Sequence, residues 1–470
     1  MSAFVPPDLE RYARSRAHQQ RAHQVIPGGA HTYARGDDQM PEAMPVVLAR
    51  GKGCRVWDVD GNAYIEYGIG LRAVTMGHAE PRVTAAAAEW LTRGVNFSRP
   101  SVIELEAAEV FLGLIPGAER VKFCKDGSSA TTAAIKLARA ATGRDLVAYC
   151  TDHPFLSQDD WFIGATPMDA GVPQAVKDLS IGFPYGDLAA LESVLDARAG
   201  EVACVIMEAT RGDGDPGDYL RGVAEVCRQR DVVFVLDEMI TGFRWSEHGA
   251  QGLFGVEPDL STFGKALANG YSVSALAGRA ELMDLGGLGT DRPRVFLLSS
   301  THGAETHALA AAIATMTLGA EEDVAGQLMR QGKRLRDGVT QVVNAAGMEG
   351  HVGVSGRDCN LVFYTRDAEG QASQPYRTLF LQELTRRGIL APSFVVTTAH
   401  DDEAIDLTIE TVAEALEVYT QALDAGSVAP FLVGRPVQPV FRRLAGRVWS
   451  DSRCTQPVSM SDSRPTHPSS

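Results

Sequence analysis

The run Asp231–Thr241, DVVFVLDEMIT, constrains the chain more than any other stretch. Its apolar residues are contiguous rather than alternating, which is the pattern of a strand buried on both faces, and such strands sit in parallel sheets covered by helices. The run ends in two acids, Asp237 and Glu238. In open α/β sheets ligands bind at the carboxyl ends of the strands, so an acid there faces a ligand. A second buried run, Ala203–Met207, ends the same way at Glu208. The chain is therefore read as an α/β protein.

Downstream, Pro258–Gly278 reads PDLSTFGKALANGYSVSALAG. The apolar run Leu260–Phe263 predicts a strand, Gly264 breaks it, and Lys265 stands in the loop before a second strand, Val273–Leu276. An isolated lysine in such a loop is ordinarily solvated. Between two apolar strands it is readily desolvated, which lowers its pKa and makes its amine nucleophilic enough to form a Schiff base with an aldehyde. A strand acid followed by a loop lysine is what pyridoxal phosphate (PLP) chemistry requires: the lysine holds the aldehyde and Asp237 keeps the pyridine nitrogen protonated. Met239, two residues beyond Asp237, points the same way on strand alternation.

Two further features bear on a site. Asp126-Gly127-Ser128-Ser129 opens an alanine-rich helix running to Thr142, and the unsatisfied N–H groups of such a helix start attract anions. An ordinary N-cap is the plainer reading of this tetrapeptide. Arg72, in GIGLRAVTMGH, is a lone guanidinium among glycines and aliphatic residues. It is either a paired structural residue or a fork for a substrate carboxylate.

At this point the chain resembles the class III, fold-type I PLP-dependent aminotransferases, in particular their glutamate-1-semialdehyde aminomutase-like branch. The resemblance rests on LDEMITGFRW (Leu236–Trp245) and PDLSTFGKALANG (Pro258–Gly270). It continues in IPGGAHTYAR (Ile26–Arg35), WDVDGNAYIEY (Trp57–Tyr67), MGHAEP (Met76–Pro81) and the Thr301–Gly303 triplet, and so spans roughly residues 20 to 420. It implies a large domain with a mostly parallel, seven-stranded sheet flanked by helices, a smaller α+β domain, PLP as cofactor and amino-group transfer. Lys265 and Asp237 would be catalytic. Gly127 and Ser128 would bind the phosphate, although Asp126 and Ser129 replace a serine and a glutamate of the family pattern. Met239 would lie against the ring. Where relatives place a stacking aromatic this chain has Asp152, leaving His153 or Phe155 to take that part. Thr301 would reach the cofactor phosphate of a neighbouring subunit in a homodimer.

The expected organisation is an N-terminal segment over 1–70 with a helix and small hairpin, packing with the small domain, then a PLP-binding domain over 71–320. A small domain over 321–430 and a Pro-, Arg- and Ser-rich tail over 431–470, partly disordered, would follow. Arg294–Ser299 reads as a further strand. The net charge of −15 argues against nucleic-acid or acidic-membrane partners, which need a basic footprint, and favours small-molecule chemistry; the resemblance implies a small-molecule amino donor and carbonyl acceptor. Seven scattered cysteines without CxxC spacing read as reduced thiols, with no metal site. With no apolar leader at the N-terminus and no run long enough to span a bilayer, the expected location is cytoplasmic.

Three rivals to an aminotransferase remain: a 2,1-aminomutase, a catalytically idle PLP-binding scaffold, and a nucleotide-dependent dehydrogenase, the last opposed by the lack of a suitably placed GxGxxG. Against the mutase, the stretch from Ala391-Pro392-Ser393 to Ala399-His400 is short and carries no acid. Semialdehyde mutases have a longer one with a glutamate.

Overall fold

The computed structural model of the protein describes residues 4–210, 214–303 and 305–444. Near the N-terminus β1 (Leu48–Lys52), β2 (Arg55–Asp58) and β3 (Ala63–Glu66) form an antiparallel meander. This is one strand more than a hairpin. The central sheet follows: β4 (Arg120–Cys124), β5 (Leu146–Cys150), β6 (Ser180–Phe183), β7 (Val202–Glu208), β8 (Val233–Asp237), β9 (Leu260–Phe263) and β10 (Ser274–Gly278). Its order is β4-β10-β9-β8-β7-β5-β6. All neighbours pair in parallel except β10, which runs antiparallel to both β4 and β9. A seven-stranded, mostly parallel sheet is what the resemblance implied.

The contiguous apolar runs explain why this sheet is buried on both sides. Along β8, Val233 and Val235 join one hydrophobic cluster while Phe234 and Leu236 join the other. Along β7, Cys204 and Ile206 face the first cluster and Val205 and Met207 the second. Alternation therefore distributes side chains to two faces, both of them covered by helices. The helix Gly127–Thr142 contributes Ala130, Ala134, Ile135 and Ala138 to one cover. The helices Val102–Leu114 and Gly217–Gln229 cover the other.

After the helices Thr306–Glu321 and Val324–Ala345, the chain forms the hairpin β11 (Val352–Ser355) and β12 (Val362–Thr365). The helix Gln374–Arg386 leads to β13 (Ile389–Leu390), which pairs in parallel with β3. Both ends of the chain thus build one four-stranded sheet. Phe394 makes a single antiparallel bridge to Leu361.

One expectation needs correction. Arg294–Ser299 joins no ladder among the described residues, and Leu298 turns left-handed at φ +49°; Val295 N–H donates to the Leu285 carbonyl at 2.8 Å. Residues 431–444 are docked. Val437 is buried and its N–H donates to Thr378 Oγ1 at 2.9 Å, Arg435 pairs with Asp37 and Glu42, and Arg442 with Asp38. The rest of the expected tail, 445–470, lies outside the described residues.

Candidate active site

The carboxyl ends of β7, β8 and β9 bring Glu208, Asp237 and the Lys265 loop to one edge of the sheet. Glu208 is the direct register partner of Asp237, and Asp237 of Thr262. Asp237 is buried, and its Oδ1 accepts from Met239 N–H at 2.9 Å and from Thr262 Oγ1 at 3.1 Å. Its Oδ2 has no hydrogen-bond partner among the described residues. Burial pushes this carboxyl up to about 6, against the pull of the Lys265 charge and its two donors. Thr262 escaped the sequence reading, although its place at the end of an all-buried strand marks it as a polar residue with a task.

Lys265 follows β9 after Gly264 and opens a short 3₁₀ turn, Lys265–Ala268, with φ at +46°. A left-handed lysine is strained, and such residues concentrate at functional sites. Its neighbours enclose it although part of its surface remains accessible. No hydrogen bond or ion pair holds its ammonium among the described residues. Burial pushes its pKa below the ordinary lysine range, Arg72 adds to that, and Asp237 and Glu208 oppose it. An enclosed amine without a partner, opposite a carboxylate with one open oxygen, fits a group bearing an aldehyde on one side and a basic ring nitrogen on the other.

Met239 lies between this loop and the start of the Gly127–Thr142 helix. A Cβ placed on Gly127 would meet its Sδ at 2.7 Å, and one on Gly264 would meet the same atom at 2.7 Å. The two glycines are therefore required for the methionine to reach both backbones. At the helix start Asp126 is the N-cap, its Oδ1 accepting from Ser129 N–H at 2.9 Å. Ser128 is buried and its Oγ accepts from Gln158 N–H at 3.0 Å. The N–H groups of Gly127 and Ser128 have no acceptor among the described residues, and free donors at a helix start attract anions.

His153 is brought to the same edge and Phe155 is not. His153 is buried, its Nδ1 accepts from Glu208 N–H at 3.1 Å, and its ring meets Tyr185 edge-on at 5.7 Å. Phe155 is 46% exposed and stacks on Phe441. Asp152 accepts from Tyr185 N–H at 2.7 Å. Thr301 stands apart: it is exposed and its carbonyl accepts from Asn96 Nδ2 at 3.0 Å. No described bond links it to the helix start at Gly127.

Arg72 closes a turn in which Ile69, Gly70, Leu71 and Arg72 all have positive φ, from +38° to +71°. Its Nε donates to Asn360 Oδ1 at 2.8 Å. Asn360 gave no sequence signal, because its partner lies 288 residues away. Arg244, fully buried in the loop after Asp237, was also missed. The only hint was a cation set between aromatic residues in GFRW.

The family model described as Aminotransferase class-III matches residues 33–412. A glutamate-1-semialdehyde 2,1-aminomutase of Chloroflexus aggregans is 33% identical, the match covering 86% of this chain and 98% of the relative. An omega-transaminase from Sphaerobacter thermophilus superposes with a TM-score of 0.77 at 26% identity, covering 86% of this chain and 98% of that one. The FumI protein of Sphingopyxis sp. MTA144, solved in its PLP internal aldimine form, gives 0.80 at 25% identity over 90% of this chain and 100% of that one.

Proposed function

The chain belongs to the class-III aminotransferases, enzymes that work with PLP, and on that premise we propose that it is an intermolecular transaminase. Its donor would be an amino acid and its acceptor a separate keto or aldehyde compound, with a carboxylate on the substrate. The observation that carries the reading is the unpartnered Lys265 amine opposite the half-satisfied Asp237 carboxylate. When bound, PLP supplies the aldehyde that takes the amino group and a ring that draws electrons from the substrate Cα.

The protein's part follows from its residues. Lys265 would hold the aldehyde, and its amine, when free, would move the proton at Cα; its lowered pKa keeps more of it unprotonated near neutral pH. Asp237 Oδ2 would pair with the protonated ring nitrogen. Met239 and His153 would bracket the ring, the N–H groups of Gly127 and Ser128 would take the phosphate, and Arg72 the substrate carboxylate.

The 2,1-aminomutase reading comes second, favoured by the names of the curated relatives. Against it, the short stretch after Ser393 carries no acid, and Phe394, Val395 and Val396 are fully buried. Given an amino donor and no acceptor, the holoenzyme should release about one equivalent of keto product per site. Rapid conversion of glutamate-1-semialdehyde to 5-aminolevulinate without such release would overturn the reading. An inert holoenzyme with every donor would support the scaffold instead.

The functional unit would be a homodimer. Exposed Leu91, Val102 and Leu105 on the helices Pro81–Leu91 and Val102–Leu114, with Phe97 in the loop between them, make an apolar surface close in sequence to Asn96, which binds the Thr301 carbonyl. A partner seated there would bring its Thr301 toward this subunit's phosphate cup. No helix among the described residues is long and apolar enough to cross a membrane. Among the described residues six cysteines are free and buried, which supports a cytoplasmic location.

A further inference from the structure

Arg244 heads the largest fully buried side chains, and no carboxylate pairs with it among the described residues. Its guanidinium donates only to main-chain carbonyls: Nη1 to Val396 at 3.0 Å and Cys359 at 3.4 Å, Nη2 to Val74 at 2.6 Å and Arg72 at 3.3 Å. Nε has no acceptor. Burial, with Arg72 nearby, drives its pKa down to about 10. A cation buried without a counter-charge is unfavourable, and a hydrophobic side chain would fill the volume without that cost.

What the cation secures is the turn before it. Ile69, Leu71 and Arg72 are L-residues in the left-handed region, a conformation that persists only where its surroundings over-determine it. Ile69 packs with Val74 and Val395 in a small cluster of their own. Arg244 fastens the carbonyls of Arg72 and Val74 on one side of that cluster and of Val396 on the other. Its weaker bond to the Cys359 carbonyl lies one residue from Asn360, which holds Arg72 Nε. Backbone and guanidinium of Arg72 are thus fixed from one point, and that point leaves the same loop as Asp237.

We infer that Arg244 is a positioning residue for the substrate carboxylate, holding the left-handed turn from which Arg72 reaches the site, with Asn360 setting the rotation of the guanidinium. The inference rests on the reading that Arg72 receives a carboxylate. It is tested on the holoenzyme by calorimetric titration with glutarate and by the single-turnover rate with 1-phenylethylamine, a donor without a carboxylate. In Arg72→Ala and in Arg244→Lys glutarate binding should weaken roughly tenfold or more. The loss in Arg244→Lys should exceed that for the neutral amine by a similar factor, and the double variant should bind little worse than either single one. Equal losses for both ligands in Arg244→Lys would make Arg244 merely structural and overturn the inference. Normal glutarate binding in Arg244→Lys with weakened binding in Arg72→Ala would overturn it and spare the Arg72 reading. Unchanged binding in Arg72→Ala, or none in the parent, would overturn both. Should Arg244→Lys fail to fold, Asn360→Ala decides: the same selective loss upholds the clamp and its absence refutes it.

Discussion

Asp237 and Lys265 stand at the ends of adjacent strands and feel one another's charge, yet they form no ion pair within reach of a hydrogen bond. Each remains partly unsatisfied, and the space between them is where a cofactor accounts for both. Borohydride reduction of the holoenzyme should therefore fix the cofactor on the peptide that contains Lys265, and a label on any other lysine would refute the assignment. Lys265→Ala should lower turnover by at least roughly 10²–10⁴-fold, the range for loss of a general acid/base.

Asp237 also predicts a pH-dependent stability. Its folded pKa is raised to about 6 by burial, so the ionised form is penalised in the fold; the penalty grows as pH rises from the ordinary carboxylate range towards that value and is complete above it. Asp237→Asn removes the penalty. In the cofactor-free protein its melting temperature should exceed the parent's most at pH 8 and by less at pH 5, the two converging only below the ordinary carboxylate range. The same variant should bind cofactor but turn over slowly. A melting difference that is equal at both pH values would show that Asp237 is not the titrating group.

How much of this was legible in the sequence depended on where each residue finds its partner. β7, β8 and β9 were readable because a strand buried on both faces needs an unbroken apolar run. Asp237 and Lys265 were readable because polar residues at the ends of such runs have little structural reason to be there. The segment around Val295 misled because Val295 and Leu297 are buried while Phe296 is 70% exposed, an alternation that imitates a strand where no neighbour supplies a ladder. Arg244 and Asn360 were invisible: one binds carbonyls up to 172 residues away and the other a side chain 288 residues away. Only the fold creates those partners.

Gly127→Ala tests the packing of Met239. The added Cβ would stand 2.7 Å from its Sδ, so the methionine must swing away from the Lys265 loop. Cofactor affinity should fall, and Met239→Ala in the same chain should restore part of it. If the double variant binds no better than Gly127→Ala alone, the methionine is not the obstacle.

The apolar surface of the helices Pro81–Leu91 and Val102–Leu114 and the loop between them predicts the oligomeric state. Replacing Phe97 and Leu105, 49% and 65% exposed, by aspartate should convert a dimer to monomers in sedimentation velocity and abolish turnover. A fully active monomeric parent would rule out shared sites.

One property of the central sheet has a bearing on how the molecule comes to exist. β4 has β10 as its sole ladder neighbour, and β10 lies about 150 residues later, beyond Lys265. The loop carrying Gly127 and Ser128 emerges from β4, so this helix start joins the lysine only when β10 slots between β4 and β9. A nascent chain released before Gly278 would own nearly every residue of the site and still have no site. Closure over so long a span is slow relative to local pairing, so acquisition of the cofactor's colour during refolding would time the final insertion of the sheet rather than the arrival of the lysine.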